Sequence, residues 1–134
     1  MKTVITYGTF DLLHYGHINL LKRAKQLGDK LIVGVSTDEF CKEKGKQTIY
    51  NLEKRMEMVS DLKFVDLVIS EKNMQQKISD IKKFKVDIFV LGDDYKYTFT
   101  KMAEYEEVSK LCEVVFLERT KGVSSTLLKE QFKQ

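Results

Sequence analysis

His14 and His17 are the only imidazoles in this 134-residue chain, and they stand three residues apart just past a β-branched run that ends at Tyr7. That spacing puts both rings on one face of a helix. Gly8 permits a tight exit from the preceding strand. Gly16 lets a ligand approach the backbone near the helix start, where unpaired N–H groups and the helix dipole favour an anion such as phosphate. Alone, such a pair is more often a cap or a core filler. A metal site built from Asp11, His14 and His17 is a rival reading, but the sequence shows no partner to orient the rings as ligands. A second candidate lies near the far end, in Arg119, Thr120, Lys121, Gly122, Val123, Ser124, Ser125 and Thr126. A fixed cation, a glycine and a run of hydroxyls at an expected helix start all suit phosphate oxygens, with ordinary capping by Ser124 or Ser125 as the plainer alternative.

Those residues need a scaffold that brings the two ends of the chain together. Apolar, β-branched runs at residues 3–7, 31–35, 65–69, 88–91 and 114–117 predict five strands. Helical spacing of apolar residues predicts helices over 18–27, 52–62, 74–84, 101–111 and 124–132. Strict alternation of strand and helix implies an α/β doubly wound, Rossmann-like three-layer sandwich with a five-stranded parallel sheet. Residues 1–134 are expected to form one domain, since the chain suffices for one core and not for two. In such a sheet ligands gather beyond the carboxyl ends of the strands. The most polar, glycine-marked junctions follow strands one, four and five: Gly8 to Asp11, Gly92-Asp93-Asp94, and Arg119 to Gly122.

With 23 basic and 20 acidic side chains the net charge is only +3, which excludes a global field for coating nucleic acid. No stretch of eighteen apolar residues suggests membrane insertion, and the N-terminus is too short in apolar residues for a signal peptide, so a cytoplasmic protein is expected. Cys41 and Cys112 lack metal-finger spacing and read as ordinary thiols in a reducing compartment.

The stretch Gly8-Thr9-Phe10-Asp11-Leu12-Leu13-His14-Tyr15-Gly16-His17 resembles the signature of the cytidylyltransferase-like nucleotidyltransferase superfamily, and its strand-to-helix setting makes the match specific. The Arg119 to Thr126 segment is similar to the R-T-x-G-I-S-T-T signature of the cytidylyltransferases proper, with Val123 for isoleucine and Ser125 for a threonine. The resemblance implies transfer of CMP from CTP to a small phosphorylated alcohol. Glycerol 3-phosphate is the first expectation, giving CDP-glycerol for teichoic acid polymers. An adenylyltransferase, an ethanolamine or choline phosphate cytidylyltransferase, and a non-catalytic nucleotide-binding module are the alternatives.

Residue by residue, the resemblance implies that His14, His17, Arg55 and Arg119 act on the reacting phosphates. It implies that Thr9, Phe10, Tyr15, Gly16, Lys46, Asp94 and residues 120–126 bind the nucleotide, and that Asp11, Lys44 and Lys77 meet the acceptor. Each has a plainer alternative: a solvated basic loop for Lys44 and Lys46 around Gly45, a solvated helix face for Arg55, and ordinary turns for Asp11, Asp66 and Asp94. Lys63 is the only basic side chain at a further position where the family has one, and Met74 stands where an aromatic is expected. Tyr95, Tyr97 and Phe99 read as core or subunit contact rather than a base-stacking shelf. A Mg²⁺ held mainly through the CTP phosphates and a homodimer complete the expectation.

Overall fold

The computed structural model describes residues 1–118 and, of Asp94, the backbone alone. Five strands, β1 (Thr3–Gly8), β2 (Lys30–Ser36), β3 (Leu67–Glu71), β4 (Ile88–Gly92) and β5 (Glu113–Leu117), form one parallel sheet in the order β3-β2-β1-β4-β5. Strand order therefore reverses beside β1, whose two neighbours are β2 and β4. That switch point is where a doubly wound sheet opens a crevice at its carboxyl edge.

Among the described residues six α-helices accompany the sheet: α1 (Tyr15–Gln26), α2 (Asp38–Glu43), α3 (Leu52–Ser60), α4 (Gln76–Lys83), α5 (Lys96–Thr100) and α6 (Ala103–Leu111). The strands are apolar on both faces, as a sheet covered on both sides requires. Val4, Leu31, Val33 and Val35 pack against Leu21 and Ala24 of α1 and Val59 of α3. Their neighbours Ile5 and Ile32 turn the other way, against Ile81 of α4, Phe99 of α5 and Val108 of α6. The period of two along each strand is thus what makes three layers from one sheet.

All five expected strands are present, and strand three begins two residues later than expected. The Val65 N–H is spent on the Leu62 carbonyl at 3.1 Å, closing the turn after α3, and the ladder with β2 starts at Leu67. Helix α2 lies where no helix is expected, because six residues show no usable period. Its start is nevertheless capped by Thr37, whose hydroxyl accepts from the Phe40 N–H at 3.1 Å, with Asp38 and Glu39 in the first turn. The helix expected over 124–132 lies outside the described residues. Among the described residues Cys41 and Cys112 are both free thiols, and no helix is long and apolar enough to cross a membrane.

At the opposite, amino edge of the sheet, Asp66 accepts from Lys25 Nζ at 2.5 Å and from the Leu31 N–H at 2.7 Å. The Lys25 hydrogen bond, then that N–H, hold its carboxyl below the usual aspartate range. A depressed carboxyl pKa contributes stability that is present above the unfolded value and lost as pH falls through the folded one. Asp66→Asn is therefore expected to lower the melting temperature at neutral pH, with the difference from wild type fading as pH drops below about 4. Melting curves across acid pH check this, and a difference that persists undiminished in acid would contradict it.

Candidate active site

At the carboxyl end of β1 the chain takes an uncommon path. Phe10 adopts a left-handed backbone with φ of 51°, a region that side chains larger than glycine seldom occupy. The turn tucks its ring beneath the strand end, where it is 4% exposed and meets His17 edge-on at 5.4 Å between centroids. Gly8 is required by the same turn, since a Cβ there would lie 2.8 Å from the Phe10 ring.

His14 is the N-cap of α1, and its Nδ1 accepts from the Gly16 N–H at 3.0 Å. Reciprocally, His17 Nδ1 accepts from the His14 N–H at 3.4 Å. This is a capping box in which imidazoles replace the usual hydroxyl and carboxamide. The rings stack with centroids 3.8 Å apart and planes 20° apart. Because each Nδ1 accepts, each neutral ring carries its proton on Nε2. Both histidines are half-buried at the helix N-terminus, so the arrangement holds two ring donors where the helix field favours negative charge.

Behind them lies Arg55, with no exposed surface at all. Its Nε donates to the Tyr50 carbonyl at 3.0 Å and its Nη1 to the carbonyls of Thr9 at 2.9 Å and Ser36 at 2.7 Å. Its Nη2 meets the Asp38 carboxylate at 2.7 Å. Asp11 is its counterpart: one carboxylate oxygen accepts from the Ile49 N–H at 2.8 Å and the other from the Tyr50 N–H at 2.9 Å. Together they seat the segment between α2 and α3 against the loop that carries the histidines.

Two lysines stand at the ends of β2 and β3. Lys44, the C-cap of α2, sends its ammonium to Ser36 Oγ at 3.1 Å and 4.3 Å from the Phe40 ring centroid. Burial of the ammonium, then the neighbouring Lys46, lower its pKa, while Glu71 opposes that shift. Lys77 is 6% exposed, ion-paired with Glu71 and 4.8 Å from the Tyr7 ring centroid. Gly34 leaves the room that the Tyr7 ring occupies, for a Cβ there would lie 2.3 Å from it. Burial and Asp80, to which Tyr7 Oη donates at 2.9 Å, push the Tyr7 phenol far above its usual value, so it stays protonated.

The structure brings Thr9, Phe10, His14, Gly16, His17, Lys44 and Lys46 to the carboxyl edge, with Tyr15 largely exposed beside them. It turns three expected residues inward. Arg55 faces carbonyls and Asp38 rather than open space, Asp11 is spent on backbone N–H groups, and Lys77 is paired with Glu71. Each is a side chain whose hydrogen-bonding capacity the fold itself takes up. Asp66 sits at the opposite edge, Lys63 is exposed, and Met74 offers its sulfur to Lys77 at 3.5 Å. Phe99 belongs to the core, stacked on Phe89 at 5.6 Å, whereas Tyr95 and Tyr97 are exposed. The Asp94 side chain and Arg119, Thr120, Lys121, Gly122, Val123, Ser124, Ser125 and Thr126 lie outside the described residues. Sequence reasoning missed Ser36, Asp38 and Glu71, although Ser36 ends β2 and Asp38 lies two residues beyond it, at a polar junction that the same logic would have flagged.

A family model described as cytidylyltransferase-like matches residues 5–131. The chain is 53% identical over 130 residues to a glycerol-3-phosphate cytidylyltransferase of Bacillus spizizenii, spanning 97% of this chain and 96% of that one. It is 50% identical over 131 residues to a protein of the same name from Staphylococcus aureus, spanning 98% and 95%. Among solved structures, the lipopolysaccharide core biosynthesis protein of Thermoplasma volcanium matches with a TM-score of 0.72 and 34% identity over 92% of this chain and 99% of that one.

Removing this buried charge strips a charged donor from the carbonyls of Thr9, Ser36 and Tyr50 and from the Asp38 carboxylate. Arg55→Ala should therefore cost about 3–5 kcal/mol of folding stability as well as activity. Chemical denaturation checks this. A change within about 0.5 kcal/mol, as expected of an arginine on a solvated face, would contradict the inward role.

Proposed function

The chain belongs to the cytidylyltransferase-like family, and we infer that within it the protein transfers CMP from CTP to sn-glycerol 3-phosphate, giving CDP-glycerol and pyrophosphate. The observation that carries this reading is identity of half or more to glycerol-3-phosphate cytidylyltransferases over nearly the full length of both partners. The protein is an enzyme, a nucleotidyltransferase. Its product is of the kind that teichoic acid polymers consume. The same reading makes it a cytoplasmic homodimer.

Chemically, the acceptor needs no general base. A phosphate monoester has a second pKa of about 6, so at neutral pH it already offers an anionic oxygen. That oxygen attacks the α-phosphorus in line; the new P–O bond forms as the bond to the β-phosphate oxygen breaks, and pyrophosphate leaves with the electron pair. The burden on the protein is to hold two anions together and to stabilise charge as it develops. His14 and His17 suit that task as Nε2 donors to the α- and β-phosphate oxygens. Lys46 and Arg119, with the residues 120–126 that follow it in the motif, meet the remaining triphosphate charge, and Thr9, Phe10, Tyr15 and Gly16 shape the bed beneath it. Asp94 is assigned to the base or ribose, Lys44 to the acceptor phosphate. Arg55, Asp11 and Lys77 contribute by holding these groups in place.

A Mg²⁺ on the triphosphate would neutralise charge on the leaving pyrophosphate. Among the described residues no three His, Cys, Asp or Glu side chains gather as a cage, and the Asp11 and Asp38 carboxylates are already bonded to backbone N–H groups or Arg55. Such an ion fits this site when its ligands are phosphate oxygens and water.

Pyrophosphate release with CTP or ATP against glycerol 3-phosphate, ethanolamine phosphate and choline phosphate tests the reading. Turnover is expected with CTP and glycerol 3-phosphate, and His14→Ala should lower it about 10²–10³-fold with the fold intact. Preference for ATP or another acceptor would overturn the substrate assignment, and near-normal turnover of the variant would overturn the histidine's role.

A further inference from the structure

Three strand ends converge on one hydroxyl. Ser36, the last residue of β2, is fully buried, and its Oγ lies 3.4 Å from the Gly8 carbonyl at the end of β1 and 3.4 Å from Glu71 Oε1 at the end of β3. The shortest of its contacts is with the Lys44 ammonium, at 3.1 Å. An ammonium has no lone pair, so the serine oxygen accepts there and its single proton turns toward Gly8 or Glu71. Glu71 is 1% exposed, and its other oxygen takes Lys77. One buried carboxylate therefore sits between two lysines, touching Lys77 directly and Lys44 through Ser36.

Lys44 needs such a tether. The backbone of the turn at Gly45, where φ is 75°, is held by the N–H groups of Lys44, Gly45 and Lys46 on carbonyls of α2, but these bonds leave the long Lys44 side chain free to rotate. What fixes the Lys44 head is its bond to Ser36 and the Phe40 ring beneath it. An ammonium has three donors, so the bond to Ser36 is compatible with further bonds to a phosphate. A long, flexible side chain loses much rotamer entropy when a ligand must order it, and a tether formed before binding removes part of that cost.

We propose that Ser36 is a positioning residue for Lys44: its hydroxyl, backed by Glu71, holds the ammonium beside the end of β1 so that the acceptor phosphate meets a cation already in place. This rests on the reading that Lys44 engages the acceptor. The test is a double-mutant cycle of Ser36→Ala and Lys44→Ala with separate KM values for glycerol 3-phosphate and CTP. Ser36→Ala should raise the glycerol 3-phosphate KM about tenfold, leave the CTP KM within about twofold, and add nothing in the Lys44→Ala background. Additive losses, or equal changes in both KM values, would overturn the proposal. Ser36→Cys, close in size and a poor acceptor, should behave alike and serves if the alanine variant does not fold. In ligand-free protein, the NMR signals of the Lys44 ε-methylene should shift in either serine variant while those of Lys46 do not. If wild type makes no CDP-glycerol the functional reading falls, and the ligand-free signals still decide the tether: an unmoved Lys44 resonance overturns it.

Discussion

A parallel sheet ends in carbonyls and loops that its own ladder no longer satisfies, and at this carboxyl edge the buried guanidinium of Arg55 meets that need. It gathers the carbonyls of Thr9, Ser36 and Tyr50, which leave three separate segments, and Asp38 balances its charge. A planar fork with five donors suits the task, where a lysine could not reach carbonyls from several directions at once. Asp11 grips the same region with opposite polarity, taking the N–H of Tyr50 while Arg55 takes its carbonyl. The loop bearing the histidines and the segment leading into α3 are therefore held by groups of opposite charge, neither of which faces outward.

On that foundation the site positions its donors through bonds to its own backbone. Histidine is not among the preferred N-cap residues, yet His14 and His17 cap α1 reciprocally and in doing so fix their tautomers. The left-handed backbone at Phe10 and the close approach at Gly8 allow the ring of Phe10 to support His17 from below. Strain of this kind is retained where it serves a function. A reaction whose nucleophile arrives already ionised asks for fixed dipoles and cations, and a site whose donors are oriented before the substrate binds spends little reorganisation in the transition state.

Much of this was legible in the residues. Alternating strand and helix patterns implied the sheet, and a His-x-Gly-His element after strand one marked the edge that matters. What could not be read was which way the polar side chains turn. Arg55, Asp11 and Lys77 are residue types that suit phosphate or substrate, and an isolated stretch of helix or loop does not reveal that they are buried. Their partners lie elsewhere in the chain: Thr9 for Arg55, Ile49 and Tyr50 for Asp11, Glu71 for Lys77. Charged side chains are seldom fully buried unless paired, so the prior favoured the surface. A serine at a strand end is commonplace, and only the folded sheet brings Gly8 of β1 and Glu71 of β3 beside Ser36.

If His14 and His17 serve the reaction as neutral rings donating from Nε2, both Nδ1 atoms stay held by backbone N–H groups before substrate binds. ¹⁵N NMR of the imidazole nitrogens in ligand-free protein at neutral pH tests this most directly. Protonated Nε2 and unprotonated Nδ1 are expected in both rings, with the Nε2–H signals moving when CTP binds. Protonated Nδ1 in either ring, or Nε2 signals indifferent to CTP, would contradict it.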